Sequence, residues 1–81
     1  MLFTEQIFDE LEDGMFFQEV CERIGEHPHL ISSTNQQIEP GIKLMQQTTD
    51  LYEWQDEENT SIRGLFIMGQ LREKSNDFDS K

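Results

Sequence analysis

"SIRGLFIMGQLREK", residues 61–74, decides the fold. As a helix it sets Ile62, Leu65, Phe66 and Gly69 on one face. Arg72 and Lys74 then fall in the last turn, where the helix dipole favours cations. As a strand it offers only "LFIM", a short apolar run between glycines. The acidic lead-in "DEENTS" (56–61), with Thr60 or Ser61 as cap, and the basic finish favour the helix. Gly64 and Gly69 each cost about 1 kcal/mol relative to Ala there, and they suit close packing of helices. "SNDFDSK" (75–81) reads as a disordered tail.

Upstream, "PGIKLMQQTTDLYEW" (40–54) reads as another helix, with Pro40 at its first position. Ile42, Met45, Thr49 and Tyr52 line one face, flanked by Leu44 and Leu51. Trp54 falls about 180° from the mean direction of Ile42 and Tyr52 and so points outward as an exposed anchor. Thr48 and Thr49 weaken the helix locally, so packing must hold it. Before it, "HPHLISSTNQQ" (27–37) is a polar connection in which Thr34 and Gln37 form a capping box.

The front of the chain carries the clearest signals. "MLFTEQIFDELED" (1–13) is a helix capped by Thr4, with Glu5 in its first turn. Ile7, Phe8, Leu11 and Met15 cluster on one side, whereas Phe16, Phe17, Val20, Cys21 and Ile24 cluster on the opposite side. One unbroken helix would carry apolar stripes on both faces. A break at Asp13-Gly14 lets both point inward. Asp13 then caps a second helix over roughly 14–24, which Gly25, His27 and Pro28 stop. The expectation is an all-α single domain (1–74) of three to four short helices with a flexible tail.

The net charge is −11 for 9.6 kDa, and it is uneven. Residues 1–26 hold eight acids against Arg23 alone. Such a surface steers association with basic surfaces and opposes direct binding of nucleic acid, where Lys and Arg must neutralise phosphates. Six Phe, one Trp and one Tyr supply a core. The lone cysteine, Cys21, has no internal disulfide partner, and there is no secretory leader or run of membrane-spanning length; these point to a soluble cytoplasmic protein away from membranes.

Catalytic and metal motifs do not assemble. A calcium loop starting at Asp9 would have Leu11 and Val20 where oxygen ligands belong. Cys21, His27 and His29, with Glu22 and Glu26 nearby, fall short of a four-ligand structural zinc site. Cys21 lies on an apolar stripe rather than beside a general base. No phosphate loop and no Ser-His-Asp pattern is present. The expectation is a chain without enzymatic activity, cofactor or metal.

Asp9, Glu10, Glu12, Asp13, Glu19 and Glu22 therefore stand out as a steering face, with Phe16 and Trp54 as anchors. The expected function is a non-enzymatic binder that docks on, and blocks or modulates, a basic, nucleic-acid-handling protein such as a nuclease, polymerase or toxin. The alternative is a structural or adaptor subunit that self-associates, or joins a larger assembly, through apolar helix faces. In size, acidity and helical reading the chain resembles bacteriocin immunity proteins, which cover basic nuclease toxins. Small phage-encoded inhibitors and some antitoxins share the same composition. The immunity family's Tyr-Tyr-Pro recognition segment has no counterpart here, so no family follows from the residues.

Overall fold

Thr4 caps the first helix: its Oγ1 accepts the Ile7 N–H at 3.2 Å. The computed structural model describes residues 1–38 and 45–78. Helix α1 (Glu5–Asp9) is short, and the chain then turns through Gly14, whose φ of +87° suits a residue without a Cβ. Helix α2 (Phe17–Ile24) stops at Gly25, in the left-handed conformation, whose N–H bonds the Cys21 carbonyl at 2.8 Å. The helical front is thus broken where its apolar faces reverse. Asp13 does not cap α2, however. Phe16 holds the cap position with no side-chain bond, and Asp13 lies 3.6 Å from Arg72.

Beyond His27 the all-α expectation fails. Four strands, β1 (His29–Ile38), β2 (Met45–Gln55), β3 (Ser61–Ile67) and β4 (Gln70–Asn76), form one antiparallel sheet in the order β1-β2-β3-β4. Thr34 and Gln37, expected as a capping box, are strand residues. The expected helix over 40–54 is β2 from Met45 onward, and residues 40–44 lie outside the described residues. The expected helix over 61–74 is the β3–β4 hairpin. Ser75 and Asn76, read as tail, complete β4, and the Phe78 ring meets the edge of Phe8 at 6.0 Å. Residues 79–81 lie outside the described residues. With the helical reading goes the ground for likening the chain to immunity proteins, and the fold gives no support to an inhibitor or phage role.

The reason lies in the size of competing terms. Helix propensities differ by about 0.7 kcal/mol per residue at most for ordinary residues. Burying one large apolar side chain contributes about 1.5–3 kcal/mol. In β2, alternation puts Tyr52 and Trp54 on the same face, opposite Gly64 and Ile62 of β3. Trp54, Ile62, Phe66 and Leu71 close against Val20 and Ile24 of α2, with Leu11 and Phe3 completing the core. The Phe17 ring reaches Tyr52 at 4.5 Å and stands edge-on to Phe66 at 5.4 Å. Gly64 serves this sheet rather than a helix contact: a Cβ there would sit 2.9 Å from the Phe66 ring. Gly69, at φ +81°, pairs with Met68, at φ +54°, in a two-residue hairpin turn whose twist matches the strands.

The N-terminal segment is tied down by Asp56, at the end of β2. Its carboxylate accepts the N–H groups of Phe3, Glu58 and Thr60, each at 2.9 Å. Lys74 of β4 donates to the Phe8 carbonyl at 2.7 Å and stands 4.3 Å over the Phe8 ring.

The two edges of the sheet differ. At β4 the segment 14–17 lies alongside: Gly14 N–H bonds the Leu71 carbonyl at 2.7 Å, Leu71 N–H bonds Met15 at 2.8 Å, and Phe17 N–H bonds Gly69 at 3.0 Å. Among the described residues β1 pairs only with β2. Its last four residues run past β3, because β2 meets β3 only from Thr49 onward. The result is a two-stranded arm on a framework 49 Å long and 20 Å across.

Candidate functional site

The acids of residues 9–22 stand at the end of α1, on the connection and on the outer side of α2, whose inner side is occupied by Val20 and Ile24. Asp9, Glu10, Glu12, Asp13, Glu19 and Glu22 are all exposed. Two of them meet a cation: Glu10 lies 3.9 Å from Arg23, and Asp13 lies 3.6 Å from Arg72. Such exposed pairs contribute about 0–1 kcal/mol. Asp9, Glu12, Glu19 and Glu22 have no ion pair among the described residues. The other cations there are engaged too. Arg63 bonds Glu53 at 2.7 Å, and Lys74 is held at Phe8. The negative field of this end is therefore largely left to solvent.

Phe16, at the start of α2 and between Asp13 and Glu19 in the chain, stands 63% exposed. Its backbone bridges to Gln70, which places it at the same hairpin turn as Met68, itself 60% exposed. Met68 N–H bonds the Thr48 carbonyl at 2.9 Å and its sulfur accepts the Thr48 N–H at 3.5 Å, so the turn is held against β2 while the rest of the side chain stays open. Sequence reasoning missed Met68. The signal was the Met-Gly pair that ends an apolar strand.

Trp54 is not an anchor. It is fully buried, and only its misassignment to a helix made it point outward. Its indole N–H has no partner in ordinary hydrogen-bond geometry. What faces it is the Cys21 sulfur, a weak acceptor. Burial pushes the Cys21 thiol above its usual range, the indole contact offsets part of that, and the Glu22 charge pushes it further up. Burial also raises the Tyr52 phenol, with Asp50 and Cys21 adding to it.

Cys21, Glu22, Glu26 and His27 do come together, with Gln18 and Gly25, around a shallow depression of about 280 Å³. His29 lies apart, in β1. Among the described residues no group of three or more His, Cys, Asp or Glu is placed to hold a metal ion. A raised thiol also makes a poor nucleophile at neutral pH, since the thiolate is the reactive form. Among the described residues no helix is long and apolar enough to cross a membrane.

The features so defined are an exposed acidic surface on the helical layer and an exposed apolar pair, Phe16 and Met68, at the β3–β4 turn. The comparisons add nothing to them: no family profile, curated protein or solved structure matches the chain.

Proposed function

We propose that the protein is a non-enzymatic binding protein that docks the acidic end around α2 on a basic surface of another protein. The observation that carries this reading is the exposure of Asp9, Glu12, Glu19 and Glu22 without a cationic partner among the described residues. Long-range attraction from such a face raises the rate of encounter. Phe16 and Met68 supply the apolar contact that slows release once the surfaces meet, since buried aromatic anchors dominate interface energies.

The same charges repel phosphates, which sets nucleic acid itself aside as the ligand. The partner is recognised by its chemistry, a patch of Lys and Arg together with an apolar contact for Phe16 and Met68. Self-association through helix faces is the weaker reading, because Val20 and Ile24 are already buried in the chain's own core.

The test couples capture from the source cells with binding kinetics. Proteins retained by the wild-type chain are compared with those retained after Asp9→Asn, Glu12→Gln, Glu19→Gln and Glu22→Gln are combined. A basic partner should be lost from the neutralised chain. Its association rate should fall at least about tenfold as ionic strength rises through the physiological range. Binding that ignores both salt and neutralisation would remove the acidic face from the interaction.

A further inference from the structure

Edge strands are normally protected, because their unpaired N–H and C=O groups template further strand pairing. Protection takes the form of charge, proline, bulges, shortness or a covering segment. In this sheet the two edges are treated differently. β4 is flanked by residues 14–17. β1 is ten residues long and has no backbone partner on its outer side among the described residues. It contains no Asp, Glu, Lys, Arg or Pro. Its only irregularity is a register shift between Leu30 and Ser32, at its base. Every side chain from His29 to Gln37 is exposed. In a chain of net charge −11, a stretch of this length without formal charge is a marked departure.

We propose that the open edge of β1 is the docking edge for a second copy of this chain, paired antiparallel, β1 to β1, so that two four-stranded sheets become one of eight strands. Three features favour a second copy over another occupant. An antiparallel pair of identical strands closes under a two-fold axis, the commonest symmetry of soluble oligomers. Ser32, Ser33, Thr34, Asn35, Gln36 and Gln37 each both donate and accept hydrogen bonds, so the strand complements itself and carries no charge that would select a different molecule.

The third feature is electrostatic. Two anionic chains repel unless their acids are kept apart. The helices leave β1 uncovered, so in the paired sheet at least three inter-strand spacings of about 4.8 Å separate the two helical layers. That already exceeds the Debye length of about 8 Å at physiological ionic strength. The antiparallel arrangement adds an offset along the strands, because each body sits beside the other copy's arm.

Edge pairing of two strands buries less than the roughly 1,600 Å² of a standard interface, so the dimer depends on concentration. Leu30 and Ile31, about half exposed at the base of the strand, add apolar contact. The association is independent of the proposed basic partner, whose docking face lies on the helical layer. The two are separable by salt, since dimerisation persists as ionic strength rises and docking does not.

The experiment is sedimentation velocity of the full chain over a wide concentration range in high salt, with hydrogen exchange read at the β1 amides. Wild type should pass from monomer to dimer, and the outward-facing β1 amides should gain protection on dimerisation. Asn35→Lys should weaken the dimer at least about tenfold, because it charges the edge and puts like charges on neighbouring strands. Gln55→Lys, on an exposed β2 residue outside the β1 register, adds the same charge and should leave the dimer intact. Both variants make the chain less negative, so relief of general repulsion alone would strengthen the dimer in both. A wild-type chain that stays monomeric throughout overturns the proposal. So does a dimer undiminished by Asn35→Lys, or one whose β1 amides exchange as fast as in the monomer.

Discussion

The Asp56 carboxylate accepts the backbone N–H of Phe3 at 2.9 Å, joining the N-terminal segment to the end of β2 across 53 positions of sequence. The other carboxylate oxygen holds the N–H groups of Glu58 and Thr60. One buried acid thus shapes the β2–β3 turn and fastens the segment that brings Phe3 into the core. Asp56→Ala removes three charge-assisted bonds and leaves buried donors without partners. The expected cost is about 2–4 kcal/mol, read as a fall in the urea midpoint at unchanged slope. A loss below about 0.5 kcal/mol, the range of ordinary surface changes, would mean that water replaces the carboxylate without penalty.

Gly64 gives the second prediction. Its position on the core face of β3 leaves no room for a methyl group, with Phe66 at 2.9 Å, Leu71 at 3.1 Å and Trp54 at 3.4 Å from an added Cβ. Gly64→Ala should therefore destabilise by about 1–3 kcal/mol through overpacking. Gly14 has open space around it, and its constraint is the positive φ alone. Gly14→Asn, whose side chain tolerates the left-handed region, should cost less than Gly64→Ala. Thermal or urea unfolding of the two variants side by side decides the order.

The helical front was legible because its signals are local. Thr4, Gly25 and the reversal of apolar faces near Gly14 each act within a few residues. The strands depend on partners far along the chain, and their own patterns are weak. From Ser32 to Gln37 β1 is polar on both faces, since no described residue covers the arm, so no alternation shows. In β3, Leu65 and Ile67 are half-buried on the open face, which blurs the contrast with Ile62 and Phe66. The β3–β4 turn uses Met68 at positive φ, where an Asn-Gly pair would have announced a hairpin. The available clue to β2 was its content of Thr48, Thr49, Tyr52 and Trp54, all residue types that favour strands. For the site, the acids stand outside as their spacing implied, whereas Phe16, grouped by its spacing with the inward stripe of Phe17, Val20 and Ile24, is exposed. Trp54 went astray because Tyr52 and Trp54 diverge by 200° on a helix yet share one face of a strand.

Trp54 gives the third prediction. It is the chain's only tryptophan, so intrinsic fluorescence reports on it alone. Fully buried among Phe17, Tyr52 and Phe66, it should emit at short wavelength, resist quenching by acrylamide, and shift to the red only on unfolding. Trp54→Ala should cost about 3–5 kcal/mol, a large share of what a domain of this size has. Native emission already at the wavelength of the unfolded chain would return Trp54 to the surface.

The fourth prediction concerns alkaline pH. The Cys21 thiol has an ordinary value of 9.0 and the Tyr52 phenol one of 10.0, and both are raised in the folded chain, chiefly by burial. Above the ordinary value of each group the native state holds a proton that the unfolded state has begun to release. The number of protons bound is then larger in the native state, and stability falls as pH rises. The contribution of Cys21 is fully present below pH 9 and is lost as pH climbs toward its raised value; that of Tyr52 follows from pH 10 upward. Urea midpoints measured below pH 9 and then above pH 10 should decline. Cys21→Ala should remove the earlier part of the decline and Tyr52→Phe the later part, each measured against its own midpoint below pH 9. The same burial should slow alkylation of Cys21 at neutral pH relative to the unfolded chain, because less thiolate is present. Midpoints that hold steady or climb across this window, or a native thiol alkylated as fast as the unfolded one, would place Cys21 and Tyr52 in water rather than against Trp54 and Phe17.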